Sequence, residues 1–453
     1  MDGKPQPQSS VRGNARQLVA WNGPDDLENP KNWPSGRKWR AVLAVSGFGL
    51  MSPLSTMIVA PAVAMILTIF MLGFAIGPLF ISPISEIFGR TRVLQAFNLG
   101  FLAFNTACGG AQTGPQILAC RFLAGLFGSS SWRGMLGDLF ESHERGKAMA
   151  VYSLTPLIGP VLGPIMGGFL AQHVSWRWIF YATSILDALV QLWALFFLEE
   201  TYTHAGAVGL YTEHDFEGSV MQVVRDSMVR PFKMLGTQIV IQVVSLYQGY
   251  LYGNIYILYS FFPTLWARRY GQPVDMASLN YLSLAIGLVL ATEVTTQMND
   301  RIYRHLSARN GNQGGRPEFR ILLSVPATVL LAAGLFWYGW SAEKTLHWIM
   351  PNIGACIFSV GAYACTISNN TYIVDTYGHF SASGLAAIPM LRCLAGFAFP
   401  MFCPYICDAL GYGITNSVLG GVAIACGLPA AIFLWRYGET LRRKSPYCAV
   451  HDA

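Results

Sequence analysis

Charged side chains are scarce in this chain: Asp, Glu, Lys and Arg together make up 12 % of its 453 residues. A soluble domain normally contains about a quarter charged residues. Hydrophobic residues make up 53 % and form long blocks, as expected of helices that need ~20 residues to cross ~30 Å of hydrocarbon. Disordered chains lack such hydrophobicity, and a membrane β-barrel would show alternating segments of about 10 residues. We therefore predict an α-helical integral membrane protein.

Motifs for catalysis and for cofactors are also missing. The sequence has no GxxxxGK[ST] phosphate loop, no HExxH and no GxSxG, and its nine cysteines lack metal-ligand spacing. These absences argue against a membrane enzyme and against ATP as the energy source, so we expect no cofactor and no metal. The basic residues are spread along the chain rather than clustered, which argues against a nucleic-acid partner.

Twelve apolar blocks predict twelve membrane spans in two groups of six. A long polar segment at 199–236 separates the groups. We predict a cytosolic tail (1–40), a first bundle (41–198), a cytosolic central loop (199–236), a second bundle (237–435) and a tail (436–453). The predicted spans are 41–63, 66–85, 93–112, 116–138, 148–171, 177–198, 237–262, 277–297, 320–340, 347–373, 384–406 and 412–435.

The distribution of lysine and arginine orients these spans. With the N-terminus in the cytosol, 23 of the 30 basic residues fall in cytosolic segments, four fall outside and three lie within spans. Cytosolic loops carry an excess of Lys and Arg. Both termini are therefore predicted to be cytosolic.

A charged hairpin follows the second span. Glu86, the turn glycine Gly89 and Arg90 lie at its cytosolic end, where an acid and arginines can latch two helix ends. An acid followed by an arginine, Asp300 and Arg301, occupies the matching place in the second half. A repeated motif of this kind is expected of duplicated halves, although cytosolic loops are enriched in arginine in any case.

The fifth span contains a repeated glycine–proline pattern. Gly159, Gly163 and Gly167 are four residues apart and share one helix face, while Pro160 and Pro164 remove backbone hydrogen bonds, and Gly168 follows. Small residues in this register allow close backbone approach to a neighbouring helix.

These motifs resemble the major facilitator superfamily and, within it, the twelve-span fungal drug:proton antiporter group. The resemblance extends from Trp21 to about Lys444 and implies two six-helix bundles that rock around a central cavity. The pieces that carry it are WNGPDDLENPKNWP (21–34), SEIFGR (85–90), RFLAGLFGS (121–129), GDLF with ERGKAM (137–149), GPVLGPIMGG (159–168), WRWIFYATS (176–184) and GFAFPMF (396–402).

The resemblance also implies residue roles. By position, Glu86 and Arg90 match the gating hairpin, with Asp138 as the partner of Arg90 and Arg392 as a partner of Glu86. Arg121 matches an arginine of the fourth span that is linked to proton coupling. The fifth-span glycine run matches a motif of antiporters rather than symporters.

Two departures from this family affect the prediction. The connection between the first two spans and the central loop are both shorter than the family pattern, and the stretch from Val59 to Phe74 contains no polar loop. We therefore hypothesise that the sequence lacks segments that its relatives contain.

Ionisable and polar residues inside spans are candidates for coupling and for substrate contact, because they are costly in lipid. Arg121 and Asp187 are the coupling candidates. Tyrosines at helical spacing on the seventh span, with a neighbouring amide, would suit a bulky, partly apolar ligand, although tyrosines also pack in ordinary cores. The cavity candidates are Gln248, Tyr252, Tyr256, Tyr259, Asn369 and Asn370.

The sequence thus favours a secondary transporter that exports a drug-like compound or a fungal secondary metabolite by alternating access. The alternatives are a proton-coupled importer of a nutrient, or a paralogue that senses or has decayed and does not transport. The expected partners are a small-molecule substrate, protons and the lipid bilayer. We expect a multi-pass monomer in the plasma membrane, with the vacuolar membrane as the alternative.

Overall fold

The computed structural model of the protein describes residues 30–59, 64–88, 90–129, 145–198, 220–310, 315–377 and 381–448. Within these ranges the chain is almost entirely helical. The described residues of the first half form six helices: α1 (Ser35–Met57), α2 (Ala64–Phe88), α3 (Arg90–Gly110), α4 (Gly114–Gly128), α5 (Arg145–His173) and α6 (Trp176–Phe197). Each of these helices overlaps one of the first six predicted spans, although α1 begins before the predicted boundary at residue 41 and residues 130–138 of the fourth span lie outside the described residues.

The described part of the second half contains two short helical segments besides its long helices. One is a 3-10 helix at Pro317–Leu323, and the other is the six-residue helix Val274–Leu279. The helices are α7 (Val220–Thr237), α8 (Ile239–Tyr270), α9 (Val274–Leu279), α10 (Tyr281–Arg309), α11 (Ser324–Glu343), α12 (Ile349–Tyr377) and α13 (Ser381–Arg443).

Helix α13 supplies two of the predicted spans. Its backbone breaks at Gly411, which has φ 77° and ψ 169°, a conformation that glycine adopts without a Cβ penalty. The break separates an arm at 381–410 from an arm at 412–443. With α8, α10, α11 and α12, these two arms give the second half six crossing segments.

A carboxylate stabilises the start of the second arm. Glu343, at the end of α11, accepts hydrogen bonds from the backbone N–H groups of Tyr412 at 2.8 Å and Gly413 at 3.4 Å. Arg269 lies 3.8 Å from the same carboxylate. An anion at a helix N-terminus pairs with N–H groups that have no partner within the helix.

The segment predicted as a central loop is partly helical. Helix α7 covers its second part and carries Arg225, Arg230 and Lys233, and the helix contacts α2 of the first half as well as α13 of the second. The last helix also continues to Arg443, beyond the predicted end of the second bundle at 435. A polar stretch with an apolar stripe packs as a surface helix rather than a loop.

Helix α6 has polar side chains on its buried face and apolar side chains on its exposed face, the reverse of a helix in a soluble protein. Its buried face carries Thr183, Ser184, Asp187 and Gln191, whereas apolar side chains such as Leu189 (59 % exposed) and Phe196 (79 % exposed) point outward. Lipid favours apolar side chains on the outside, and polar groups are satisfied between helices. Five helical segments of the described chain are long and apolar enough to cross a membrane.

The two halves pack against each other along one continuous core. Met51, Phe70 and Met71 of the first half belong to the same cluster of buried residues as Tyr256 and Tyr259 of the second. Helix α2 contacts α13, and α5 contacts α9 and α10. Residues on these facing surfaces are therefore the ones to consider for a substrate.

Candidate transport site

Arg121 of α4 lies fully buried within the first half. Its guanidinium donates hydrogen bonds to the Ser55 hydroxyl at 2.9 Å, to the Asn105 side-chain oxygen at 3.2 Å and to the backbone carbonyl of Ser55. The charge also lies 4.5 Å from the ring centroid of Phe70 and 5.6 Å from that of Phe180. These described partners are all neutral, so the cation is held by dipoles and by aromatic faces.

Asn105 extends this group to α6. Its amide nitrogen donates to the Phe180 carbonyl at 3.1 Å, to Thr183 at 3.0 Å and to Ser184 at 2.9 Å. Four helices therefore meet at one polar group, and we call Arg121, Ser55, Asn105, Thr183 and Ser184 the Arg121 cluster. Hydrogen bonds to a charged group are stronger than neutral ones, so the guanidinium organises α1, α3, α4 and α6.

Asp187 lies in a second polar layer between α3 and α6. The Asn98 amide nitrogen is 3.3 and 3.2 Å from the two carboxyl oxygens of Asp187 and 3.0 Å from the side-chain oxygen of Gln191. All three side chains are buried. We call them the Asp187 cluster. Asn98 and Asn105 are seven residues apart on α3, so the two clusters are two helical turns, about 10 Å, apart.

The glycine face of α5 lies directly on α1. A Cβ at Gly159 would lie 2.7 Å from the Pro53 Cβ, one at Gly163 2.9 Å from the Leu54 carbonyl oxygen, and one at Gly167 1.9 Å from the Ile58 carbonyl oxygen. Helix α5 remains helical through Pro160 and Pro164. The backbones approach too closely for any side chain larger than hydrogen.

Gly168 and the end of α5 contact the other half of the molecule. A Cβ at Gly168 would lie 2.0 Å from the Ser278 hydroxyl oxygen of α9. His173 Nε2 lies 3.3 Å from the Asp275 carboxylate, and the Gln172 side-chain oxygen accepts the Asp275 backbone N–H at 2.9 Å. In the predicted orientation this contact between the halves lies at the outer surface.

The predicted tyrosines do share a face of α8. The rings of Tyr252 and Tyr256 are 5.2 Å apart, those of Tyr256 and Tyr259 are 6.0 Å apart, and the Tyr259 hydroxyl lies 3.1 Å from that of Tyr363 on α12. We call Tyr252, Tyr256, Tyr259 and Tyr363 the aromatic face. It packs in the cluster shared by the two halves.

The polar candidates on the second half separate into two places. Gln248, one turn from Tyr252 on α8, donates to the Asn370 side-chain oxygen at 2.9 Å and so lies beside the aromatic face. Asn369 instead accepts a hydrogen bond from Ser324 of α11 at 3.3 Å, inside the second bundle. Neighbouring residues on a helix point about 100° apart, so only Asn370 of this pair lies with the aromatic face.

Arg392 lies with the aromatic face. Its guanidinium carbon is 4.3 Å from the ring centroid of Tyr252, across the contact of α8 with the first arm of α13. The expected pairing with Glu86 involves a side chain outside the described residues and stays a prediction. Gly89 and Asp138 lie outside the described residues, as does the Arg90 side chain.

Asp300 and Arg301 were predicted at a hairpin after the eighth span, but they lie within α10, which continues to Arg309. Asp300 has a partner that sequence reasoning did not identify. Asp300 lies 2.5 Å from Arg320 of the 3-10 helix, and Arg320 also lies 2.9 Å from Asp375 of α12. Arg301, the predicted member, is exposed. Asp300 thus pairs across helices and not with the arginine next to it, because neighbouring residues on a helix diverge.

Several further residues of the site were missed from sequence. Ser55, Asn98 and Asn105 each form a hydrogen bond with a charged residue, and Ser184 accepts one from Asn105. A single polar residue in a span gives little signal. The available signal was spacing: Asn98 and Asn105 are seven apart in an otherwise apolar helix, and the polar residues of α6 recur every three or four positions.

A family model described as Major Facilitator Superfamily matches residues 41–400 of the chain. The chain belongs to the major facilitator superfamily. As a member it is a multi-pass membrane transporter of small molecules rather than an enzyme, and its activity is secondary active transport.

Curated relatives of this transporter are fungal. It is 41 % identical to the efflux pump vrtL of Penicillium aethiopicum over 95 % of this chain and 92 % of that protein. It is 33 % identical to the efflux pump radE of Floropilus chiversii over 94 % of this chain and 85 % of that protein. The comparison with vrtL extends over 463 positions, more than the 453 residues of this chain. The relative therefore contains positions that this chain lacks, which agrees with the short connections noted in the sequence.

Solved transporters share the fold. A partially occluded inward-open structure of the xylose transporter XylE from E. coli superimposes with a TM-score of 0.66 at 16 % identity, covering 89 % of this chain and 98 % of that chain. A bacterial homologue of the lysosomal transporter Spinster gives a TM-score of 0.61 at 14 % identity, with coverage of 91 % and 100 %. At these identities the likeness establishes the two-bundle architecture.

Proposed function

We propose that this transporter is a proton-coupled exporter of a drug-like compound or a fungal secondary metabolite and works by alternating access. The observation that carries the proposal is the 41 % identity, along nearly the whole chain, with a protein named an efflux pump. The close packing of the α5 glycine face on α1 supports export, because that run matches a motif of antiporters.

Proton coupling is assigned to the Arg121 and Asp187 clusters. Both ionisable side chains are fully buried, and their hydrogen-bond partners in the described chain are neutral. A buried carboxylate without a cation is costly in the membrane. Protonation of Asp187 removes that charge, so the proton changes the relative free energies of conformations that expose or bury the residue.

We infer that helix α5 links protonation in the Asp187 and Arg121 clusters to the opening of the contact between the two halves. One of its faces lies on α1, which supplies Ser55 to the Arg121 cluster, and its last turn contacts α9 of the other half. A shift of α5 along α1 would therefore part the contact of His173 with Asp275. We propose this contact as the outer gate, and the hairpin at Glu86–Arg90 together with Asp300 and Arg301 of α10 as the inner latch.

The test is the accumulation of a panel of azoles, dyes and aromatic acids in a pump-deficient yeast that expresses the chain. Export predicts that accumulation of at least one compound falls at least about twofold and that a protonophore restores it. A rise in accumulation would indicate import instead. Fluorescent tagging in the same cells distinguishes the proposed plasma membrane from the vacuolar membrane.

A second candidate function is a membrane protein that does not transport. It is favoured by one observation, namely that the curated relative aligns over more positions than this chain has residues. Restoring a relative's longer connection between α1 and α2 distinguishes the two. If only the lengthened chain exports, the missing positions disable this protein; if both export equally, the short connection is tolerated.

A further inference from the structure

Arg392 places a positive charge on the surface where the two halves meet. It lies on the first arm of α13. Helix α13 contacts α2 of the first half, and Cys393, next to Arg392, belongs to the buried cluster that the two halves share. Its guanidinium stacks over Tyr252 at 4.3 Å, and its Nε is buried without a hydrogen-bond partner among the described residues. Within the described part of the chain, none of the ion pairs includes Arg392.

The described side chains around this charge are aromatic or neutral. Tyr252 and Tyr256 stack with rings 5.2 Å apart, and Tyr363 adds a hydroxyl on the facing helix. On the cytosolic side, the Gln248 amide donates to Asn370, while the Gln248 oxygen is buried without a described partner. The aromatic face thus offers one cation, several rings and an amide.

The energetics of this arrangement favour an anion. A cation over a ring gains much less free energy than a buried charge costs in the membrane. A carboxylate or other oxyanion forms short, bidentate hydrogen bonds with a guanidinium. A cationic ligand would instead meet a like charge in a medium of low dielectric constant, where repulsion is strong.

We propose that the aromatic face with Arg392 binds the substrate as an anion. The ligand class is an aromatic or conjugated molecule that carries a carboxylate or a comparably acidic hydroxyl. Its acidic group pairs with Arg392, and its rings stack on Tyr252 and Tyr256. This inference rests on the proposed transport function, and it names the substrate class.

The first experiment measures binding to the full-length protein purified in detergent. The probes are naphthoate and anthraquinone carboxylate, each compared with its neutral methyl ester and its methylammonium analogue, at a pH where the acid is ionised. The acids are expected to bind at least about tenfold more tightly than the esters and the cations, as loss of a hydrogen bond to a charged group implies.

Variants test whether Arg392 is responsible. Arg392→Gln should weaken binding of the acids at least about tenfold and leave ester affinity unchanged, which also shows that the variant is folded. Arg392→Lys should recover part of the loss, since it retains charge but not the bidentate geometry. Arg304→Gln, which removes an exposed arginine from α10, is the matched control and should change nothing.

Export of the same probes from yeast separates this inference from the proposed function. If esters or cations are exported and bound as well as the acids, export stands and the anion site is overturned. If acids bind through Arg392 but no probe is exported, the anion site stands and the export proposal fails. If acids of neither scaffold bind in preference to their esters, the inference is overturned.

Discussion

At the scale of single residues, two buried charges, Arg121 and Asp187, have no counter-charge among the residues that the structure describes. Arg121 is held by a hydroxyl, an amide, a backbone carbonyl and two rings. Asp187 is held by one amide that it shares with Gln191. The hydrogen bonds around Arg121 and Asp187 allow us to predict how substitutions will change export and thermal stability.

Arg121→Ala removes every bond that the guanidinium makes and leaves the Ser55 carbonyl and the Asn105 oxygen without that partner. Each such bond is worth about 1.5–3 kcal/mol, so we expect export to fall at least about tenfold and the thermal midpoint to drop. Arg121→Lys supplies one donor group at a time and should be intermediate. Equal export by Arg121→Ala and the parent at equal surface abundance would contradict this role.

Asp187→Asn keeps the side-chain shape but cannot bind or release a proton. We expect the protein to fold normally and to lose the dependence of export on the proton gradient, measured as the response to protonophore in vesicles at two external pH values. Gln191→Ala, in the same layer, is the control because it removes a neutral neighbour only. An unchanged response in Asp187→Asn would rule out the proposed coupling residue.

At the scale of elements, the close contact of α5 with α1 depends on glycines, which have no side chain. Gly167 lies so close to Ile58 that a Cβ would fall 1.9 Å from its carbonyl oxygen, whereas nothing lies within 4 Å of a Cβ at Gly421 of α13. Both glycines lie within membrane-spanning helices, so Gly421 is the control for a substitution at Gly167.

Gly167→Ala forces α5 away from α1, and overpacking of this kind typically costs about 1–3 kcal/mol. We expect a lower thermal midpoint in detergent and weaker export. Gly421→Ala should leave both unchanged, or raise the midpoint slightly because alanine favours helix. The prediction fails if the two variants behave alike.

The kink of α13 supports a second prediction at this scale. Glu343→Gln removes the charge that caps the arm at 412–443. Loss of a cap costs about 0.5–2 kcal/mol, so the thermal midpoint should fall by roughly 1–4 °C. Glu293→Gln, on the exposed surface of α10, is the comparison and should have little effect.

At the scale of the whole molecule, the two halves meet at one end through α5 and α9. The contact of His173 with Asp275 joins the halves over 3.3 Å, whereas the contact of Arg316 with Glu439 at 2.9 Å lies within the second half. Alternating access requires the first contact to open and does not require the second to do so.

We therefore expect a reversible cross-link between His173→Cys and Asp275→Cys to stop export, and a reductant to restore it. The same treatment of Arg316→Cys with Glu439→Cys should leave export intact, as should treatment of the parent with its nine native cysteines. Undiminished export by a fully cross-linked His173–Asp275 pair would show that this contact is not a gate.

The amino-acid sequence by itself determined the class, the order of the helices and much of their spacing. Long apolar blocks are sufficient for this, because a chain in lipid must satisfy its backbone within helices. Spacing within one helix was equally reliable: Gly159, Gly163 and Gly167 share the predicted face, and so do the α8 tyrosines.

The tertiary structure alone decided which polar residues meet. Asp300 pairs with Arg320 rather than with its neighbour, Asn369 turns into the second bundle, and Arg392 lies over Tyr252. Each of these contacts joins two helices, and it depends on the rotation of each helix about its axis. Packing against several neighbours sets that rotation, so no single stretch of sequence encodes it.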